Sequence, residues 1–444
     1  MNNIDINFVS QKVQIKFSQY LSPYCEILAV PEQKFLKDMV RGILTSRSCI
    51  LRQIAQKLKE KISLKKVSKR FGTHLSKPYL NELLTERQIQ KSCYGASRDT
   101  LFIVDPSDII KPSAEKMEGL SKIRDGSTKK YGNGYETLNI LSVDTINQEF
   151  IMKPVASELF SNEQEMDTAK TKLFDLFYSI IIAGNNKGVF LFDRAFDDKI
   201  IFSFFRNNET AFIVRSMATR DLYYQGQKMK FKEVAKKAKL SHTFMIEKSS
   251  QKGKPKTKTV YAGIIDVEIP LSPHPSKKNP DLFPAKLLVA RYKDGGYWYL
   301  LCSLPNHSDL SEKEMIEFVF NAYKIRWKIE EVHRHIKNDF HWEKMRLGKY
   351  ESLRLLNTIL WLSVGFLYTL HSLKYQFIKA FHYYMLDKKT KINNLSGFLF
   401  YRITLVVSEC FSYMDKYKKI KHKKGKSDDE QPVLPFFQNF LGVC

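Results

Sequence analysis

The chain has 444 residues, 43% of them hydrophobic, and carries 72 Lys and Arg against 47 Asp and Glu, a formal net charge of +25. That length exceeds one ordinary core and the apolar share supplies a globular interior, so roughly two to four modules are expected and a disordered or fibrous chain is excluded. The charge excess favours a polyanionic partner, nucleic acid before an anionic membrane, without separating an enzyme from a passive binder.

Cysteine usage narrows the setting. Cys25, Cys49, Cys93, Cys302, Cys410 and Cys444 form no C-x-x-C pair and no Cys/His zinc spacing, so they read as reduced thiols of a cytosolic protein. The opening Met1-Asn2-Asn3-Ile4-Asp5 has neither a basic nor an apolar leader region, and no secretory signal is expected. The run Leu355 to Leu373 approaches the length of a membrane span, but Asn357, Thr358, Ser363, Thr369 and His371 interrupt it. It reads as a buried core helix, and no membrane partner is expected.

Residues 1–97 read as a helical N-terminal DNA-binding region. Leu36 to Leu58 carries Met39, Val40, Ile43, Leu51 and Ile54 at helical spacing. Ser63 is placed to cap a short basic helix running to Phe71, Ser76-Lys77-Pro78 breaks it, and Leu80 to Arg87 resumes. Short basic helices around a turn suit the major groove or a DNA end; a plain bundle with a basic exterior fits the same residues.

From Thr100 the pattern becomes that of strands. Leu101 to Val104 is a short apolar run bounded by Asp105-Pro106, and Leu138 to Val143 and Ile151 to Val155 follow. Between them lies a basic loop, Lys122 to Tyr135. There Lys129 and Lys130 precede Gly132 and Gly134, suited to a backbone phosphate or simply to solvent. Glu163 to Ile182 is expected to be a helix stopped by Gly184 to Gly188. Val189 to Phe192 is a buried strand ending in Asp193-Arg194. Ile200 to Phe205 is helix or strand, and Ala211 to Val214 is a strand leading into Arg215.

From about Met217 to Asn306, within a segment bounded at 217–309, the helical signal mostly vanishes. Strands are expected at Val260 to Ile269, Ala285 to Tyr292 and Tyr297 to Leu304, making a β-rich insertion. Ser311 with Glu314 three residues on is a capping box that opens a long helix. Residues 310–375 return to the core begun at 98–216. Residues 376–444 are a helical C-terminal region whose Lys416 to Lys426 run adds nonspecific affinity for DNA or is a solvated tail.

The long helix carries the densest chemistry. Arg326, Glu330 and Lys337 lie 3, 7 and 14 residues beyond Tyr323. At roughly 100° per residue all four fall within an arc of about 60°. One carboxylate flanked by two cations and a phenol suits a divalent ion beside a phosphodiester, although a solvated face with local Arg–Glu pairs has the same composition. Two further carboxylates, Asp105 and Asp193, end strands at a sheet rim, where α/β folds place chemistry. With Glu330 they could hold two Mg²⁺ or Mn²⁺ ions about 4 Å apart for in-line attack on phosphorus. Asp108, Asp197, Asp198 and Glu331 are competing candidates, Asp105 being preferred to Asp108 because it ends its strand.

The spacing Y-x₂-R-x₃-E-x₆-K of Tyr323, Arg326, Glu330 and Lys337 resembles the signature of a branch of bacterial insertion-sequence transposases. These are DDE enzymes in which that Glu is the third catalytic carboxylate. Asp193-Arg194-Ala195-Phe196-Asp197 is similar to the family's second catalytic segment, Phe212 to Ser216 to the strand beyond it, and Leu101 to Asp105 to the first. Pro106-Ser107 departs from the acidic or hydroxyl residue that often follows the first Asp. The resemblance covers about residues 100 to 350. It implies an α/β fold, an RNase H-like catalytic core interrupted by a β-rich insertion, flanked by helical N- and C-terminal regions. It also implies catalytic and metal-binding roles for Asp105, Asp193 and Glu330. Tyr323, Arg326, Lys337, Arg194, Arg215, Lys129 and Lys130 would face DNA. Trp298 is similar in place and context to a family Trp that stacks on a flipped base, while a core strand Trp reads the same way.

The expected protein is therefore a cut-and-paste transposase, excising and inserting a mobile element at terminal inverted repeats through a hairpin intermediate. It would act as a dimer on double-stranded DNA, at the nucleoid in a bacterial cytoplasm. The competing readings are an RNase H-like metal-dependent nuclease and a catalytically silent DNA-binding protein derived from a transposase.

Overall fold

The structure, a computed structural model, describes residues 6–126, 128–161, 163, 169–248, 256–271, 280–385 and 399–423. Five helices come first: α1 (Ile6–Cys25), α2 (Val30–Ser46), α3 (Leu51–Leu58), α4 (Leu64–Leu75) and α5 (Pro78–Cys93). The apolar spacing from Leu36 to Leu58 thus spans two helices. α2 stops where Arg47 takes a left-handed backbone (φ 51°), which an α-helix cannot continue. Ser63 caps α4 as expected, accepting from the Lys66 amide, and α5 starts at Pro78, its fixed φ suiting a first helical turn.

The strands and remaining helices follow in the order β1 (Leu101–Ile110), β2 (Ser121–Arg124), β3 (Tyr131–Ile146), β4 (Glu149–Phe160), α6 (Ala169–Ala183), β5 (Val189–Phe192), α7 (Lys199–Asn207), β6 (Ala211–Arg215), β7 (Asp221–Tyr224), β8 (Gln227–Lys230), α8 (Phe231–Ala235), β9 (His242–Lys248), β10 (Lys256–Pro270), β11 (Leu282–Tyr292), β12 (Tyr297–Ser303), α9 (Glu312–Ile325), α10 (Lys328–Asp339), α11 (Tyr350–Thr369), α12 (Lys374–Met385) and α13 (Leu399–Lys423). Among the described residues all the strands join one twelve-stranded sheet. Its main path is β2-β3-β1-β5-β6-β12-β11-β10-β7-β8, with β4 on β3 and β9 on β10. The strands expected between 217 and 309 therefore form, but they extend the core sheet, β12 pairing antiparallel with β6, rather than stacking as a separate layer.

The centre of this sheet is buried on both faces, and the sequence shows why. In β1, Leu101 and Ile103 point into one core while Phe102 and Val104 point into the other. β5 divides Val189 and Leu191 from Phe190 and Phe192 in the same way, and β6 divides Ala211 and Ile213 from Phe212 and Val214. Such unbroken apolar runs belong to parallel strands covered by helices on both sides. α1, α2, α9, α10, α11 and α13 contribute to the first core; α6, α7 and α8 to the second. Gly188 sets the approach of β5 to β1. Its φ is +95°, and a Cβ there would meet the Phe102 ring at 2.5 Å and the Thr100 carbonyl oxygen at 2.9 Å.

Several expected boundaries move, and the two ends of the basic loop expected from Lys122 to Tyr135 pair as β2 and β3. β1 does not stop at Asp105-Pro106; it runs on to Ile110 beside β3, and only its parallel pairing with β5 ends at Val104. Pro106 sits where the strand has lost that neighbour, a place that tolerates a missing N–H. The helix expected from Tyr323 to Lys337 is two, α9 and α10, meeting at Arg326 and Trp327. The capping box of Ser311 and Glu314 opens α9 as expected. The helix expected from Glu163 starts, within the described residues, at Ala169, and Ile200 to Phe205 is helical. α13 takes in Lys416 to Lys423; Lys424 to Lys426 lie outside the described residues.

α11 is the apolar run with membrane-like length. Its most apolar window is 89% buried inside the fold, so it is the core helix expected of it. It also carries a buried polar chain that ties three elements. The Trp342 indole donates to Asn357 Oδ1 (2.8 Å), and the Asn357 amide donates to the Ser157 carbonyl (3.0 Å) and hydroxyl (2.8 Å) on β4. Ser157 in turn donates to Asn139 on β3 (2.6 Å). Replacing Asn357 by Leu orphans the donors and acceptors at once. It should lower unfolding free energy by about 2–4 kcal/mol, measured by urea denaturation, whereas a cost under about 1 kcal/mol would show the chain to be dispensable.

α10 is pinned to α13 by His335, whose Nε2 lies 2.8 Å from the Thr404 hydroxyl. Burial pushes this imidazole down to about 3. The unfolded chain therefore takes up a proton below the ordinary value of 6.5 while the folded chain does not. Stability is complete above 6.5 and drains away as pH falls toward 3. Asp339, 3.6 Å from His335 and itself pushed up to about 6 by burial, contributes the opposite slope below that pH. Denaturation of wild type and His335→Asn between pH 7 and 5 isolates the histidine. Wild type should lose about 2 kcal/mol more than the variant, and parallel curves would refute the assignment.

Candidate active site

Register alone brings two of the expected carboxylates together. Val104 pairs with Phe192 and Phe192 with Val214, so the next residues along three adjacent parallel strands are Asp105, Asp193 and Arg215. They stand at the carboxyl rim of β5 and β6. Asp193 turns the chain into a short 3₁₀ segment, accepting from the Ala195 amide at 2.9 Å.

The third carboxylate arrives on α10. At the α9–α10 junction the backbone bonds shorten to an i to i−3 pattern, Arg326 to Tyr323 (3.2 Å) and Glu330 to Trp327 (3.0 Å). Arg326 and Trp327 keep right-handed backbone angles, so the side-chain stripe survives the break. Arg326 then bridges the site. Nη1 donates to Asp105 Oδ1 at 2.9 Å and Nη2 to Glu330 Oε1 at 2.6 Å. Glu330 stays half exposed, with 52% of its side chain open, against 14% for Asp105 and 17% for Arg326.

The electrostatics follow from that crowding. Burial pushes Asp105 up to about 7; Arg326 opposes the shift, and Asp193 and Glu330 add to it. Burial also pushes the Tyr323 phenol up, against Arg326 and Arg215. Arg215 is pulled below the ordinary arginine value by burial and by Arg194 and Arg326. Three acids and three cations thus feel one another in a single rim.

The other expected residues surround this group. Lys337 lies two helical turns beyond Glu330 on α10, 3.4 Å from Asp108 and 3.1 Å from Glu343. Asp108 also accepts from the Gly126 amide (3.3 Å), which fixes the β2–β3 turn on which Lys129 and Lys130 stand exposed. Arg194 is exposed beside Asp193. Trp298 on β12 is half-buried against the site wall, edge-on to Tyr323 (5.7 Å) and near Tyr292 (5.8 Å) and Phe320 (5.6 Å).

The competing acids have structural work. Asp197 is buried in an ion pair with Arg220 (2.5 Å) and accepts from the Ser216 hydroxyl and the Met217 amide, both at 2.8 Å. Asp198 caps α7 through the Ile200 amide (2.7 Å), and Glu331 pairs with Lys328 (3.0 Å). Sequence reasoning missed His333, whose buried ring puts Nδ1 3.7 Å from Asp105 Oδ2 and which burial pushes down to about 3. The signal was present. His333 lies seven residues beyond Arg326, two helical turns, on the face already singled out.

Three carboxylates offer the hard oxygen donors that Mg²⁺ or Mn²⁺ prefers, and their mutual repulsion around Asp105 favours a cation among them. Among the described residues no three acidic, His or Cys side chains stand arranged to hold an ion. Asp105 and Glu330 instead point their oxygens at Arg326. The donor set fits a divalent ion in chemistry, and one oxygen of Asp105 and one of Glu330 are bonded to the guanidinium.

The chain's class is set by its sequence family, that of the DDE transposase domain. A family model for the transposase DDE domain matches residues 97–364, and the chain belongs to that family, whose members generally use divalent metal ions. No curated protein matches it. Among solved structures, a piggyBac transposase synaptic complex with hairpin DNA aligns over 92% of this chain and 82% of that one, at 10% identity and a TM-score of 0.38.

The division of acids into structural and functional is testable by stability. Asp197→Ala leaves Arg220 buried without its partner and should cost about 3–5 kcal/mol in thermal or urea unfolding. Asp193→Asn keeps the cap of the 3₁₀ turn and should stay within about 1 kcal/mol of wild type. The reverse ranking would mean that the two roles have been exchanged.

Proposed function

We propose that the protein is a DNA transposase that cuts and rejoins phosphodiesters at the ends of a mobile element, with Asp105, Asp193 and Glu330 as its catalytic carboxylates. The observation that carries this is the convergence of all three at one rim: two by strand register, the third through its shared bond to Arg326. The family match supports the reaction class, and the strand order β4-β3-β1-β5-β6 supports an RNase H-like core with β7 to β12 inserted before the helices that deliver Glu330.

In this reading Asp105, Asp193 and Glu330 would hold Mg²⁺ or Mn²⁺, two ions in the working site. Such ions supply Lewis-acid charge at the phosphate and activate the nucleophile. The chain's own residues do the rest. Asp105, fixed in β1, keeps its carboxylate at the rim while Glu330 adjusts from its exposed helix turn. Arg326 and Lys337 grip the phosphate beside the cut, Tyr323 adds its phenol O–H, and Arg215 and Arg194 extend the positive surface along the strand ends. Lys129 and Lys130 meet DNA on the flank, and Trp298, half-exposed against Tyr323, would receive a base turned out of the stack. Water nicks one strand, the freed 3′-hydroxyl attacks the opposite strand and closes a hairpin, water reopens the hairpin, and the regenerated 3′-hydroxyl attacks target DNA. Two ends have to be brought together, which calls for a homodimer on DNA. The exposed Lys65, Lys66 and Lys69 of α4, set after the short turn from α3, suit recognition of the terminal repeats by residues 1–97. The setting is the bacterial nucleoid.

The test is incubation with linear DNA carrying the flanking inverted repeats and Mg²⁺. Hairpin-ended products are expected, with Glu330→Gln reducing them by roughly a hundredfold or more. Simple nicks without hairpins would make the protein a nuclease on the same core. Binding with no cleavage, unaltered by Glu330→Gln, would make it a silent DNA-binding relative.

A further inference from the structure

Arg326 does two things that cannot be done at once. Its guanidinium fills the space between Asp105 and Glu330, donating to an oxygen on each at 2.9 and 2.6 Å. Those two oxygens are among the hard donors a divalent ion would take from the same carboxylates. Arg326 is also one of the side chains assigned to the phosphate. A fixed positive group and a divalent cation repel strongly at contact distance, so the guanidinium has to leave before an ion can be ligated by both acids.

Where it can go is restricted. Besides the two acids, it faces Tyr323, over whose ring it sits at 5.9 Å, the cation Arg215 and the buried His333, none of which offers a carboxylate. The third acid of the rim, Asp193, is felt by Asp105 and Tyr323 but makes no ion pair with Arg326 among the described residues. Asp105 cannot follow it, because β1 is locked in register between β3 and β5 and the His333 ring stands 3.7 Å from its second oxygen. Leaving without a new anion strands a buried cation, which is costly; a phosphodiester supplies that anion with matching fork geometry.

We propose that Arg326 couples cation loading to DNA: it holds Asp105 and Glu330 as an internal counter-cation until a phosphate draws it away, so that phosphate and divalent ion each favour binding of the other. This rests on the three carboxylates being the metal site. The coupling keeps an unloaded enzyme from assembling a reactive centre away from DNA. By linkage the same factor acts in both directions.

The experiment is a Mn²⁺ titration of the full chain followed by electron paramagnetic resonance. It is run with and without a short random-sequence duplex, because backbone contacts do not depend on sequence, and Mn²⁺ held by the duplex alone is subtracted. Without DNA, Arg326→Ala should bind Mn²⁺ about 5- to 100-fold more tightly than wild type, a gain that a damaged fold does not produce. Adding duplex should tighten wild type by a similar factor and leave the variant unchanged. Equal or weaker binding by Arg326→Ala, or a wild type indifferent to DNA, overturns the coupling. Glu330→Gln separates the two levels. If it weakens Mn²⁺ while Arg326→Ala does nothing, only the coupling fails. If it leaves Mn²⁺ binding intact, the metal-site reading fails with it.

Discussion

Carboxylates gathered at the end of a sheet repel one another, and the rest of this site answers that repulsion. Asp105 is the most constrained of the three, since its backbone is fixed by β3 on one side and by the end of β5 on the other. Its raised proton affinity is the direct expression of burial beside two other acids. Arg326 makes the arrangement tolerable by setting one positive charge between Asp105 and Glu330, bonded to both. A cluster that needs an internal cation for its own stability is also one that accepts an external cation, which is the physical link between how the site holds together and what it can do.

The sheet gives this cluster its precision. Parallel pairing of β1, β5 and β6 leaves no freedom in which residues become neighbours, because a shift of one would turn every apolar side chain to the opposite core. Gly188 brings β5 against β1 where any side chain would collide with Phe102. The helix that carries Glu330 is held just as firmly from behind. Ile329, Val332 and Ile336 are fully buried, and His335 bonds to α13. Flexibility is left to the one acid that sits on an exposed helix turn.

Much of this was legible in the residues. Unbroken runs such as Val189 to Phe192 declare a strand buried on both faces, and the Y-x₂-R-x₃-E-x₆-K spacing declares a shared helical face whether or not the helix breaks once. Local signals also gave the caps at Ser63 and Ser311. What escaped depends on pairing between distant segments. Pro106 looked like a strand end because its chemistry is local, whereas β3 carries β1 onward to Ile110. The joining of β12 to β6 into one continuous sheet left no mark in either strand alone. Asp197 and Asp193 look alike in sequence, and only burial against Arg220 separates them.

The cations of the site fall into two groups by their surroundings, and physics assigns the groups different work. Arg194, Lys129 and Lys130 are exposed, so their fields reach outward about a Debye length and fade with salt. Arg326 and Lys337 are paired with Asp105, Glu330, Asp108 and Glu343, which cancels their reach and keeps them in defined positions. A polyanion nearing this rim meets the unpaired charges first and the paired ones only at contact. Attraction and discrimination are thereby separated. In the proposed reading the outer cations would set the rate of encounter, while the inner ones would bind only a group able to displace a carboxylate, as a phosphate seated at the strand ends would.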